Sequence, residues 1–193
     1  MYVLGDAFNN KKFQRLVKEQ IPSLIERADS EAAKYGKTGM EKGSVRKRYL
    51  IDFLVEYFGE DRVETTFPGD VLGVDLRIDS LPVKIKTITG KGAVKITWTT
   101  DKDKLDDFIA DYAPTCGILF LRINWEMDEK NRPSGLFWIP IEVQNKIYKE
   151  LVKKYFQLPK RGTNSRGVPF SKVALDLLLK DKNTKHIDIN WRR

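Results

Sequence analysis

Between Asn9 and Lys34 the apolar side chains Phe13, Leu16, Val17, Ile21, Leu24, Ile25 and Ala28 recur at spacings of three and four, which predicts an amphipathic helix that Pro22 should kink or divide. The polar stretch Tyr35–Lys47 carries Gly36, Gly39 and Gly43 among its lysines and reads as a flexible loop. Ser44 is placed to cap the next helix, Val45–Phe58, whose inner face is Tyr49, Leu50, Phe53, Leu54 and Tyr57 and which Gly59 should stop. After Thr65 the period changes to two. Strands are predicted over Val71–Ile78, Val83–Ile88 and Val94–Thr99, with a turn at Asp79–Pro82, so that three consecutive strands form a meander. Helical spacing returns over Asp101–Tyr112, and the apolar run Gly117–Trp125 predicts a strand in the sheet interior. A strand at Leu136–Ile139, a helix over Ile141–Phe156, a basic loop over Pro159–Pro169 and a helix over Ser171–Leu179 complete an α/β chain with a mixed β-sheet.

Composition narrows the function classes. The 193 residues, 41% hydrophobic and 11% aromatic, suit one packed domain, here read as residues 1–193 with N-terminal helices over 6–34, a core over 44–125 and a C-terminal elaboration over 136–193. Lys and Arg number 35 against 27 acids, and the net charge of +8 points to a polyanion, with nucleic acid the default partner. The single cysteine, Cys116, excludes an internal disulfide and a cysteine-based zinc cluster, and the single histidine, His186, argues against Ser-His-Asp and two-histidine chemistry. Carboxylates and lysines are left as the reacting groups. Without a leader-like N-terminus or an apolar run of ~18 residues, a soluble intracellular protein, in a prokaryotic cytoplasm, is expected.

The chemistry concentrates in one predicted hairpin. Alternation puts Val74, Leu76 and Ile78 on one face and Asp75 and Arg77 on the other, while in the partner strand Val83 and Ile85 face the core and Lys84 and Lys86 point with Asp75. A carboxylate beside two lysines on an exposed face is most often a solvated ion pair of about 0–1 kcal/mol. The order of the surrounding elements raises its interest.

Gly73-Val74-Asp75-Leu76 followed by Val83-Lys84-Ile85-Lys86-Thr87 resembles the motif of the PD-(D/E)xK nucleases, and in particular of type II restriction endonucleases. Their core is a helix, three meandering strands, a helix and a fourth strand, an order similar to that predicted for Ser44–Trp125. The resemblance implies Mg2+-dependent, sequence-specific hydrolysis of double-stranded DNA by a homodimer on a palindromic site. It also implies catalytic positions Asp75, Lys84 and Lys86 and a metal set of Asp75, Ile85 and, from the preceding helix, Glu56. Lys86 would position or deprotonate the attacking water and stabilise phosphoryl charge. The chain departs from the motif at position 84, where the family has an acid and this sequence has lysine. An ammonium cannot ligate a hard cation and repels one.

Three readings of position 84 stand open. A glutamate has been replaced through a one-base codon change that disarms a toxic nuclease; or Asp70, Asp79, Glu64 or Glu56 supplies the acid instead; or the chain binds DNA without cutting it. As written it should bind DNA and cut poorly. A structure-specific junction or repair nuclease of the same fold is the alternative enzyme. Two basic segments are candidate DNA-reading elements. In the first, Lys37, Lys42, Arg46, Lys47 and Arg48 are expected on phosphates, and Met40, flanked by glycines, is a candidate wedge between base pairs. In the second, Arg161, Asn164 and Arg166 offer the donors and acceptors that read base edges.

Overall fold

The computed structural model describes residues 4–66, 73–90, 93–97, 105–125, 133–158 and 167–191. Three helices come first: α1 (Leu4–Ala7), α2 (Lys11–Lys34) and α3 (Gly39–Phe58). They are followed by β1 (Val63–Glu64), β2 (Leu76–Ile78), β3 (Leu81–Thr89), β4 (Lys95–Thr97), α4 (Leu105–Ala110) and β5 (Gly117–Ile123). The chain continues through β6 (Gly135–Ile139), α5 (Ile141–Leu151), a 3-10 turn (Val152–Tyr155), β7 (Val168–Pro169), α6 (Lys172–Lys180) and β8 (Lys185–Ile187).

Six strands form a mixed sheet in the order β1-β2-β3-β5-β6-β8, antiparallel except for β3 and β5, which run parallel from Val83 opposite Gly117 to Thr89 opposite Ile123. One face is covered by α2 and α3: Phe13, Val17, Ile21, Leu50 and Leu54 pack with Leu76, Val83, Ile85, Leu119 and Leu121. The other face, with Ile118, Phe120, Phe137 and Ile139, packs against Val143 and Ile147 of α5 and Ala174 and Leu178 of α6. β5 therefore has no solvated face, which is why its sequence does not alternate.

The structure revises several expected boundaries. α2 is not divided at Pro22, because the apolar stripe Val17, Ile21 and Ile25 is fully buried on both sides of it. α3 begins at Gly39, whose φ of 52° suits glycine, behind Thr38 and not behind Ser44; packing along α2 outweighs the roughly 1 kcal/mol that Gly43 costs inside the helix. The hairpin turn is two residues, Asp79 and Ser80, both at positive φ (49° and 67°), so β3 starts at Leu81. The meander is built from β1, β2 and β3, whereas the expected third strand leaves the sheet. β3 already has β2 on one edge and β5 on the other, and β4 pairs instead with β7. α5 ends where Val152 takes φ 47°, and after the 3-10 turn that follows Phe156 is extended and bridges to Phe170, so that both it and Tyr155 are buried. Of the expected helix Asp101–Tyr112, residues 105–110 are helical, and 101–104 lie outside the described residues, as does Trp98. Among the described residues no helix is long and apolar enough to cross a membrane.

Candidate active site

Asp75 stands at the mouth of the β2–β3 hairpin. Its backbone N–H donates to Val83 O (2.9 Å) and its carboxylate Oδ2 accepts from the Ile85 N–H (2.7 Å), so the side chain is fixed across the hairpin before any other partner is considered. The pleat then sorts β3: Val83 and Ile85 enter the α2–α3 core, while Lys84 and Lys86 turn to the other face. There they line a cavity of about 480 Å³ with Asp75, Gly73, Cys116 and the end of α4. A second hollow, about 660 Å³, runs toward the start of α3 and shares Lys47, Ile85 and Lys86 with the first.

Four charged groups set the electrostatics. Lys47, reaching in from α3, donates to Asp75 Oδ1 at 2.7 Å. Lys84 Nζ donates to Ile96 O on β4 at 3.0 Å. Gly73, at φ 91°, makes room for it, since a Cβ there would lie 3.1 Å from Lys84 Nζ. Burial first, and then the cations of Lys84 and Lys47, lower the Lys86 ammonium from its ordinary 10.5 to about 8, against the pull of Asp75. Burial likewise pushes the Cys116 thiol up; its Sγ lies 3.6 Å from Gly73 O, and it belongs to the wall.

Asp75, Lys84 and Lys86 thus converge, and Ile85 contributes its backbone N–H. Glu56 does not join them. It lies nine positions after Lys47 on one helix, about half a turn round in phase, and faces a groove with Lys12, Gln20 and Tyr57. The other candidate acids are also elsewhere: Glu64 pairs with Arg77 (3.2 Å), and Asp79 pairs with Arg62 (2.6 Å) at the far tip of the hairpin. Asp70 lies outside the described residues. The acid that does line the cavity is Asp111, just after α4, which no motif pointed to. Gln144, fully buried, donates from Nε2 to Cys116 O (3.0 Å) and Ile139 O (3.3 Å) behind the same cavity. Its only sequence signal is a polar residue in phase with the apolar face of α5.

The basic segment before and within α3 is largely engaged inside the molecule. Arg46 is buried and grips Asp29 through Nε (2.6 Å) and Nη2 (2.8 Å), with Nη1 on Thr89 (2.8 Å), so it ties α2, α3 and β3 together. Lys42 lies 3.2 Å from the same Asp29, Arg48 pairs with Glu31 at 2.6 Å, and Lys37 sits over the Tyr35 ring at 5.8 Å. Met40 falls in the first turn of α3 with its side chain outside the described residues; Arg161, Asn164 and Arg166 are outside them altogether.

A family model described as restriction endonuclease ThaI matches residues 7–193. A solved structure described as a restriction endonuclease in complex with substrate DNA is similar over 98% of this chain and 90% of its own, at 36% identity and a TM-score of 0.87. No curated protein matches.

Proposed function

The chain belongs to the ThaI restriction endonuclease family, and with it to the type II site-specific deoxyribonucleases, and we propose that the Asp75–Lys84–Lys86 cavity is where it meets the scissile phosphate of duplex DNA. The observation that carries this reading is the clamp of Asp75 by the Ile85 N–H, which sets the motif's first carboxylate and its lysine, Lys86, against one cavity wall, with Lys84 where the motif has its second acid. The similar solved structure contains substrate DNA, which supports duplex DNA as the substrate here. The proposal includes a palindromic site read by two copies of the chain, because a two-fold protein dimer would match a two-fold DNA site. The structure-specific nuclease is the less favoured reading.

Restriction endonucleases generally use a divalent metal ion, which polarises the phosphoryl oxygen and activates water. The residues of this cavity do not fit one. Asp75 has Lys47 on one oxygen and an N–H on the other, and two further lysines face the space. Among the described residues no three acids, histidines or cysteines stand close enough to hold a metal. We therefore assign Lys84 as the residue that should weaken metal-dependent cleavage by this chain. Lys84→Glu removes a cation and adds an anionic ligand. At an effective dielectric of about 20 each unit charge near 4 Å is worth on the order of 4 kcal/mol before desolvation and screening. The test is cleavage of a long DNA of varied sequence by the parent and Lys84→Glu chains, with Mg2+ and with chelator. Discrete Mg2+-dependent fragments from the substituted chain, abolished again by Asp75→Ala, support the assignment. Strong Mg2+-dependent cleavage by the parent overturns it and makes Asp111 the acid to replace next.

A further inference from the structure

The charge in this cavity is out of balance in a definite way. Three ammonium groups, of Lys47, Lys84 and Lys86, face the carboxylates of Asp75 and Asp111, and Lys47 already neutralises Asp75 at 2.7 Å. Lys84 is half-buried and, among the described residues, donates to Ile96 O alone. Lys86, also half-buried, has no hydrogen bond or ion pair with another described residue. An ammonium carries three donors, and those of Lys84 and Lys86 that no described residue accepts are open to the cavity and available to a ligand there. Two such groups sit on alternate residues of one strand, with their like charges on the same face. An anion with several oxygens, seated between them, would accept from both at once and offset their like charges.

We propose that the cavity is a phosphate site that takes a DNA phosphate directly, without a metal ion, Lys84 standing in the place of the cation and Lys86 closing on a second oxygen. The proposal rests on the cavity being the place where DNA is cut in this family, and it involves no bond making or breaking.

The probe is deoxythymidine bisphosphate, titrated calorimetrically into the chain in chelator and in Mg2+. Binding in chelator that Mg2+ does not strengthen is the expected result. Lys84→Met and Lys86→Met should each weaken it about tenfold, the equivalent of one charge-assisted hydrogen bond, with melting curves confirming that both fold; Lys86→Met removes no internal bond and serves if Lys84→Met fails to fold. Binding by the parent that requires Mg2+, or affinity unchanged in both methionine variants, overturns the proposal. Mixed-sequence duplex binding, measured alongside, keeps the two readings apart. Bisphosphate binding without duplex binding leaves the phosphate site standing and counts against the cleavage-site reading, whereas duplex binding without bisphosphate binding overturns the phosphate site alone.

Discussion

Lys86 is the titrating group of the cavity, and its behaviour follows from where β3 puts it. Burial and the neighbouring ammonium groups bring it to about 8, while the unfolded chain keeps its proton to about 10.5. Between those values the unfolded state binds more protons, so this group favours folding increasingly as pH rises through the window. Its positive charge is lost over the same window. DNA affinity measured by fluorescence anisotropy at constant ionic strength should therefore fall as pH passes 8. Lys86→Arg, which stays protonated, should flatten that fall; a profile identical to the parent's would clear Lys86 of any contact with phosphate. Arg46 belongs to the same scale but to the fold. Burial raises the Asp29 carboxyl, and the bonds from Arg46 and Lys42 outweigh it, so its pKa ends below the ordinary value. Arg46→Ala leaves that carboxylate with Lys42 only. Unfolding in urea should show a loss of about 2–3 kcal/mol, the low end for removing one partner of a buried pair because Lys42 remains. DNA affinity of the folded fraction should be unchanged.

At the scale of elements, the hairpin that carries the site is closed by Asp79 and Ser80, both left-handed. That backbone matches the twist of the flanking strands, yet Ser80 carries a Cβ where glycine is preferred. Ser80→Gly relieves roughly 1–2 kcal/mol of left-handed strain and gives back up to about 1 kcal/mol in unfolded-state entropy. A gain of about 0.5–1 kcal/mol in denaturant unfolding is the expected outcome, and a loss would show that Ser80 is not strained. Asp79 is left alone in this test because it holds Arg62. The start of α3 was not legible for a related reason. Three glycines within Gly36–Gly43 signal a loop by propensity, and only the packing of α3 along α2 shows that Gly39 opens the helix and Gly43 lies inside it.

For the whole molecule the net charge of +8 draws the chain to duplex DNA, but internal pairing decides which cations act. Lys42 and Arg48 already pair directly with Asp29 and Glu31, whereas Lys37 sits over the Tyr35 ring, acts on Glu31 only at longer range and makes no ion pair with another described residue. Each phosphate contact contributes about 0.9 to the slope of log affinity against log salt. Lys37→Ala should lower that slope by close to this amount, and Lys42→Ala by clearly less. Equal changes would mean that the Lys42–Asp29 pair opens on binding. The charge total was legible in the composition. Its partition into free and paired cations was not, since Asp29 is seventeen positions from Arg46 and nothing local marks them as partners.

The sequence by itself determined the amphipathic helix of α2, the buried run of β5, and the two-residue alternation that puts Asp75, Lys84 and Lys86 on one side of a hairpin, because periodicity and pleat are properties of neighbouring residues. Those local rules sufficed to point to a nuclease motif and to its departure at Lys84. Tertiary structure alone decided that β5 takes the edge of β3 and sends β4 to β7, that Glu56 faces away while Asp111 lines the cavity, and that Lys47 reaches Asp75 from another element. Each of these depends on the distance and phase between segments far apart in the chain, and side-chain chemistry carries no local record of either.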